Sequence, residues 1–297
     1  MNSVITTGDA LARPTPRLHR HLVEGRALKS LILSILTWLA AILASVPLLS
    51  VIYMLIVKGG ARISLETLTA LPPAGFETGG GFGNAIVGTL AMVGIGAALS
   101  VPIGILAAVY LAILGPNSKL AATSRFLAKV MTGLPSILAG VFAYAAMVVV
   151  MGTYSALAGG VALAVLMLRT VVLTAEEAMK QVPQRMKDAA FGMGCTRSQV
   201  IWKVVLPTAL PGILTGVMLA VAGAAGESAP LLFTALFSNY YLSSLTEPTA
   251  SLSILIYNFS AMPFENQIEL AWTASLVLVL IVLVFNILAR LVRQPNV

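Results

Sequence analysis

Long runs without a charged residue dominate this sequence and decide what it can fold into. The first, Ser30–Val57, holds 28 uncharged residues between Lys29 and Lys58, more than the roughly 20 apolar residues that a helix needs to cross a bilayer. Only 10% of the chain is charged and 58% is hydrophobic, whereas soluble domains carry about 25% charged residues. Because so few polar side chains cannot cover water-facing domains, we predict an all-α, polytopic membrane protein.

The remaining uncharged runs predict five more spans. The run of 39 residues between Lys129 and Arg169 is too long for one span, and we expect Gly152 and the Gly159-Gly160 pair to mark the turn that divides it. The apolar stretch Leu252–Tyr257 is too short to span, so it is either a re-entrant or interfacial helix or a contact with another subunit. The six predicted spans are residues 30–57, 84–114, 133–151, 156–174, 210–235 and 268–288.

The positions of the basic residues predict how the spans are oriented. Sixteen of the 18 Lys and Arg residues fall in the N-terminal tail of residues 1–29, in the loop after span two, in the region from the end of span four to span five, or in the C-terminal tail. Only Lys58 and Arg62 fall on the other side. Because Lys and Arg are retained in the cytoplasm, we expect both termini there, with residues 30–297 forming one six-helix domain. The net charge of +7 is then a topology signal with some attraction to the lipid bilayer, and no nucleic-acid partner is expected. The first run is longer than the apolar region of a signal peptide, so we expect a retained anchor.

The cytoplasmic loop between spans four and five, about residues 175–207, is expected to hold three helices. The helix of span four extends as far as Pro183, because proline disfavours the helical conformation in the residue before it. A second helix of about two turns ends near Phe191, where Gly192 and Gly194 allow the positive φ angles that stop helices. A helix this short is not stable alone in water, so it either lies on the surface of an ordinary loop or docks onto a partner.

The third helix of this loop is expected to begin at Thr196. Thr196 and Gln199 have the spacing of a capping box, in which each side chain bonds the backbone of the other residue. We expect Leu206-Pro207 to end this helix and Pro211 to lie in the first turn of the next. Span five is therefore predicted to be a separate helix.

The residue spacing in this loop resembles the EAA loop of the permeases of ABC importers. That signature reads E-A-A, G after three residues, I after nine more and L-P after one more, and here Asp and Val replace the Glu and the Ile. The resemblance implies the fold of a type I importer permease, in which this loop couples the transmembrane helices to a separate ATPase. The residues of this chain that match the signature, and that the resemblance assigns to the contact with the ATPase (the predicted joint), are Asp188, Ala189, Ala190, Gly194, Leu206 and Pro207.

A second resemblance concerns the substrate. Gly226–Ala235, Leu134–Ile137 and Asn286–Arg290 resemble stretches of the phosphate permeases of this family. This implies an importer of inorganic phosphate that works by alternating access, with a second permease subunit, a homodimeric ATP-binding subunit and an external phosphate-binding protein. The chain departs from the family at Gly223 and Leu173, where an Arg is common. The alternative substrate is another oxyanion, sulfate or molybdate.

Glu227 is the only acid in the interior of a predicted span, since Glu269 is the second residue of span six. A charge in that position usually faces a pathway or a partner. Phosphate keeps a proton near pH 7 and sulfate does not, so we hypothesise that the Glu227 carboxylate accepts a hydrogen bond from phosphate and discriminates between the two anions. The alternatives are an ion pair with a neighbouring subunit or a position at the outer interface. Ser228, Ser136 and Thr215 either line the same pathway or bond to nearby backbone.

Other classes of function lack the residues that they need. A serine hydrolase needs a base beside its nucleophile, and the two histidines, His19 and His21, lie in the N-terminal tail. The sequence has no G-x-x-x-x-G-K-[ST] motif, so ATP hydrolysis is assigned to a partner chain. This chain is expected to be no enzyme and to hold no cofactor and no metal. A secondary transporter is a remaining alternative, although its usual inverted repeat is not visible.

Overall fold

The computed structural model describes residues 25–292, and the regular secondary structure in that range is helical throughout. Residues 1–24 and 293–297 lie outside the described residues, and so do most of the predicted N-terminal tail and both histidines. The chain divides into two compact units, Met1–Tyr53 and Met54–Val297. The described part of the first unit belongs to a single helix, and the second unit contains the other helices.

The helices are numbered here in chain order. They are α1 (Gly25–Met54), α2 (Leu65–Thr69), α3 (Gly83–Leu114), α4 (Lys119–Gly133), α5 (Ser136–Met151), α6 (Ala156–Lys180), α7 (Gln184–Gly192), α8 (Arg197–Gly226), α9 (Ala229–Leu232), α10 (Leu252–Ser260) and α11 (Glu265–Val292). A π-helical turn follows α1, and further π-helical turns lie within α3, α5 and α8, at Leu55–Gly59, Tyr110–Leu114, Tyr144–Val148 and Ile201–Val205.

Five helices in the described range are long and apolar enough to cross a membrane, and their positions confirm spans one, two, four and six. They are Leu28–Gly59, α3, α6, α8 and Glu265–Leu288. The third predicted span, residues 133–151, corresponds to α5, which qualifies as a span only together with α4, and the two helices are bent by 109° at the break between them. Sixteen residues of α5 extend about 24 Å, less than the roughly 30 Å of the hydrocarbon core. The count is therefore five spans, or six if the pair crosses together.

The break between α4 and α5 lies at Leu134-Pro135. Leu134 takes an extended conformation, as expected for a residue before proline. The turn after α5 is made by Gly152, with φ of 72°. The prediction that Gly159 and Gly160 share this turn is wrong, because both lie inside α6. A Cβ atom on Gly159 would lie 2.5 Å from the sulfur of Met92, so the glycine serves close packing of α6 on α3.

Span five differs from its prediction at both ends. Leu206-Pro207 does not end a helix, because α8 runs without interruption from Arg197 to Gly226. Pro207 follows the π-helical turn and lies in the first α-helical turn after it, where a missing N–H is tolerated. The helix ends at Gly226 rather than near Ala235, so Glu227 lies just outside the span.

The core of the second unit lies where α3, α6 and α8 meet. A Cβ atom on Gly104 would lie 2.7 Å from Val171, and one on Gly212 would lie 2.7 Å from Ala178. Only glycine allows helices to approach this closely.

Helix α10 contains the apolar stretch Leu252–Tyr257. Leu252, Ile254 and Leu255 are fully buried, and a second apolar cluster joins α10 to Leu270 and its neighbours in α11. These side chains are therefore covered by this chain's own helices, which argues against the second of the two alternatives, a contact with another subunit.

Candidate functional site

The segment between α6 and α8 begins as the sequence predicts. Pro183 precedes the short helix α7, and Gly194 takes a positive φ of 84°. Gly192, expected to share that role, is instead the last residue of α7. Thr196 and Gln199 form both hydrogen bonds of a capping box at the start of α8.

The two faces of α7 have different surroundings. Asp188 and Ala189 are exposed, and Asp188 Oδ1 accepts a hydrogen bond of 2.9 Å from Gln184 Nε2. Ala190 is only 2% exposed and belongs to a buried apolar cluster that includes Val200 of α8. The chain therefore holds α7 through Ala190, while Asp188 and Ala189 face outward.

The other residues of the predicted joint lie apart from that buried contact. Gly194 is exposed, and a Cβ atom added to it would meet nothing within 4 Å. Leu206 is half-buried and Pro207 is exposed, and both lie within α8. The structure thus leaves Asp188, Ala189 and Gly194 open and encloses Ala190.

Exposed apolar side chains flank Asp188 along the chain, and the sequence pattern did not single them out. Phe191 is 45% exposed, Met193 78% and Trp202 60%. Met186 is exposed as well. Large apolar side chains beside charged ones are typical of protein interaction sites, so α7 and its flanks have the surface of a docking element. The signal in the sequence was the apolar residues that interrupt an otherwise polar helix.

Glu227 lies at a break in the helices, where α8 has ended and α9 has not begun. Its backbone is extended and its side chain is half-buried. Ser253 Oγ, at the start of α10, donates a hydrogen bond of 2.9 Å to the Glu227 carbonyl. One residue earlier, the backbone N–H of Leu252 donates to Thr89 Oγ1 of α3 at 2.8 Å. The start of α10 therefore fixes the backbone that carries Glu227. Among the described residues, Glu227 forms no ion pair.

The structure brings only part of the predicted pathway together. Ser228 is half-buried beside Glu227, and Ser136 is half-buried at the start of α5. One turn after Ser136, a Cβ atom on Gly140 would lie 2.6 Å from Pro230 Cα, so α5 packs directly on α9. Thr215 lies 12 residues before Glu227, which is about 18 Å along a helix, and its hydroxyl donates to the Pro211 carbonyl at 2.8 Å. Thr215 therefore bonds its own backbone, away from the break.

Comparison with known proteins gives the class of this chain. The family described as "binding-protein-dependent transport system inner membrane component" matches residues 100–294. The fold resembles a chain of the inward-facing methionine ABC transporter MetNI, with a TM-score of 0.59 and 22% identity, covering 70% of this chain and 93% of that one. The chain belongs to the family of binding-protein-dependent transport system inner membrane components. The predicted fold of an ABC importer permease is thereby confirmed.

Curated relatives match almost the full length. The phosphate transport system permease protein PstA of Haemophilus influenzae is 40% identical over 279 residues, 94% of this chain and 95% of that protein. The probable phosphate transport system permease protein PstA of Methanocaldococcus jannaschii is 37% identical over 274 residues, 92% of this chain and 96% of that protein. The similarity thus extends well beyond the short stretches found in the sequence.

Proposed function

We propose that this chain is the permease subunit of an ATP-driven importer of inorganic phosphate. The importer lies in the cytoplasmic membrane and moves phosphate across it by alternating access. The observation that carries the proposal is the identity of 40% and 37%, over more than nine tenths of the chain, to two proteins named as phosphate permeases. The stretch Gly226–Ala235, which surrounds Glu227, adds to it.

The partner proposed first is a homodimeric ATP-binding subunit that receives α7. Its contact surface is formed by Asp188 and Ala189, with Phe191 and Met193 beside them. Exposed apolar side chains beside polar ones favour a site for a protein partner. The chain itself has no phosphate-binding loop for a nucleotide. A second permease subunit and an external phosphate-binding protein complete the proposed complex, with both termini of this chain in the cytoplasm.

The proposed movement starts at α7. When ATP draws the two ATP-binding subunits together, α7 is displaced, and because Ala190 is buried against the start of α8, the displacement is transmitted to the helices. A pathway that is open to the outside then closes there and opens to the inside. Transport stays tied to ATP only while this contact holds.

Glu227 is proposed as the residue that distinguishes phosphate from sulfate. Its half-buried carboxylate accepts a hydrogen bond from the proton that phosphate retains near neutral pH, whereas sulfate has no such proton to donate. Gly223, one turn earlier in α8, has open space around it and supplies no cation for the anion. The cation is therefore proposed to come from the second permease subunit.

The test of substrate is uptake of ³²P-phosphate by cells that lack this chain, with and without the gene restored. We expect uptake to return with the chain, to be competed by arsenate, which resembles phosphate in size and protonation, and to resist excess sulfate or molybdate. Competition by sulfate or molybdate as strong as that by arsenate would overturn the assignment to phosphate.

A further inference from the structure

Glu176 is a carboxylate buried almost completely at the end of α6. It is 3% exposed, and its Oε1 atom accepts from two cations, Arg125 Nε at 2.6 Å and Lys180 Nζ at 2.7 Å. A buried carboxylate is costly unless it is paired. Lys180 is one turn away in the same helix, whereas Arg125 lies in α4, 51 residues earlier. Only the pair with Arg125 joins two helices.

The same guanidinium also holds the end of α3. Arg125 donates one hydrogen bond to the Leu111 carbonyl at 2.6 Å and one to the Pro116 carbonyl at 2.8 Å. The last carbonyls of a helix have no partner within the helix and carry partial negative charge. The planar guanidinium of arginine can donate to three acceptors at once in a fixed geometry, whereas the donors of a lysine ammonium have no fixed plane. One side chain therefore connects α3, α4 and α6.

The far end of α4 is also attached to α6. Arg169 of α6 donates to the carbonyl of Met131, near the last residue of α4. The chain then breaks at Leu134-Pro135 and turns by 109° into α5. Helix α4 thus contacts α6 at two points and meets α5 at this break, and the ends of elements are where hinges occur.

The end of α6 that carries Glu176 is packed together with α7. Met179 and Val182, which follow Glu176, are buried in the same apolar cluster as Ala190. A displacement of α7 therefore moves this end of α6. In the sequence of contacts that runs from α7 through α6 and α4 to α5, the last helix packs on α9 through Gly140 and Pro230. This contact lies beside the break that holds Glu227.

We propose that the Arg125–Glu176 ion pair transmits the displacement of α7 to α4 and, through the hinge at Leu134-Pro135, to α5. Arg125 and Glu176 are positioning residues in this proposal, because neither contacts the transported anion. The inference rests on the proposed function, since it requires transport driven by an ATPase bound at α7. It assigns a role to a cluster that the transport pathway itself does not use.

The test measures how much phosphate is taken up for each ATP hydrolysed. The complete complex is reconstituted in proteoliposomes with wild-type chain or with Arg125→Gln, which leaves Lys180 to neutralise Glu176. We expect the phosphate-to-ATP ratio to fall by about fivefold or more, the lower end of known coupling effects, while ATP hydrolysis continues. Lys180→Gln is the matched control, since it removes a cation from the same carboxylate but breaks no contact between helices, and its ratio stays at the wild-type value.

A cross-link between positions 125 and 176 tests whether the contact transmits movement from α6 to α4 or only stabilises the fold. The single cysteine, Cys195, is replaced by serine, and Arg125→Cys and Glu176→Cys are introduced together. We expect a low ratio before treatment, recovery when a short bis-methanethiosulfonate reagent joins the two thiols, and loss again on reduction. This variant decides the matter if Arg125→Gln fails to assemble.

The possible failures are distinguishable. A wild-type complex that takes up no phosphate contradicts the proposed function. A wild-type complex that is coupled, beside an Arg125→Gln complex with the same ratio, overturns the inference alone. A cross-linked pair that stays uncoupled overturns it as well.

Discussion

Ala189 and Ala190 are neighbours in α7, yet only one of them can meet another protein. Ala189 is exposed, whereas Ala190 is enclosed by the chain's own apolar side chains. Sequence spacing assigned both to the same joint, because a pattern of residue types does not say which side of a two-turn helix faces inward. That distinction depends on where α8 lies, which is a property of the tertiary structure.

The two alanines give a matched pair of variants. We expect Ala189→Arg to abolish co-purification of the ATP-binding subunit without affecting the stability of the chain, because the new side chain extends from an exposed position. Ala190→Arg is expected to destabilise the chain itself by about 3 kcal/mol or more, because it forces an unpaired charge into a closed apolar site. The measurements are pull-down of the ATPase and thermal unfolding of the purified chain. An Ala189→Arg chain that still retains the ATPase would contradict the docking surface.

Glu227 supports a prediction about selectivity. Replacement by Gln removes a charged acceptor, and hydrogen bonds to charged groups contribute about 1.5–3 kcal/mol, so we expect Glu227→Gln to lower phosphate uptake by about tenfold or more. The glutamine amide donates hydrogen bonds, so sulfate should compete better than it does with the wild-type chain. Uptake of ³²P-phosphate with and without sulfate measures both effects. Glu247→Gln, at an exposed acid, is the control; unchanged uptake and selectivity in Glu227→Gln would remove Glu227 from the pathway.

At the scale of helices, the sequence predicted where most elements lie but not how several of them end. Charge-free runs located spans one, two, four and six because hydrophobic length is a local property. Whether Pro207 ends a helix was not a local property, because the π-helical turn before it places the proline where no backbone N–H is needed. The contact between Arg125 and Glu176 was equally inaccessible, since nothing in a single sequence relates residues 51 positions apart.

Helix α8 offers a test of close packing, because two of its glycines have opposite surroundings. A Cβ atom on Gly216 would overlap the side chain of Thr174, whereas one on Gly223 would meet nothing within 4 Å. We expect Gly216→Ala to destabilise the chain by roughly 1–3 kcal/mol through overpacking. Gly223→Ala should be neutral or stabilising by up to about 1 kcal/mol, because alanine favours a helix. Thermal unfolding in detergent measures both, and equal effects would contradict the packing of α8 on α6.

In the second unit, contacts among the segments predicted to be outside lie at one end of the helices, and contacts among those predicted to be inside lie at the other. At one end, the segment between Lys58 and α3 bonds to the first turns of α11, as in the ion pair of Arg62 with Glu269 at 3.1 Å and the bond from Gln267 to the Pro73 carbonyl. The Tyr241 hydroxyl, in the connection before α10, donates to the Thr69 carbonyl at the same end. At the other end lie Arg125 and Glu176, beside α7. The segments predicted to be outside thus gather at one end and those predicted to be inside at the other.

This separation turns the orientation of the whole molecule into a measurable property. With Cys195 replaced by serine, single cysteines are placed at two exposed positions, Ser198→Cys next to α7 and Thr246→Cys in the connection before α10. Because most Lys and Arg flank the α7 end and basic residues are retained in the cytoplasm, we expect a membrane-impermeant maleimide to label Thr246→Cys in intact cells. Ser198→Cys should react only after the membrane is permeabilised. Labelling of Ser198→Cys in intact cells would place α7 outside, where no ATP-binding subunit can reach it, and both the proposed coupling and the role of Arg125 would then be wrong.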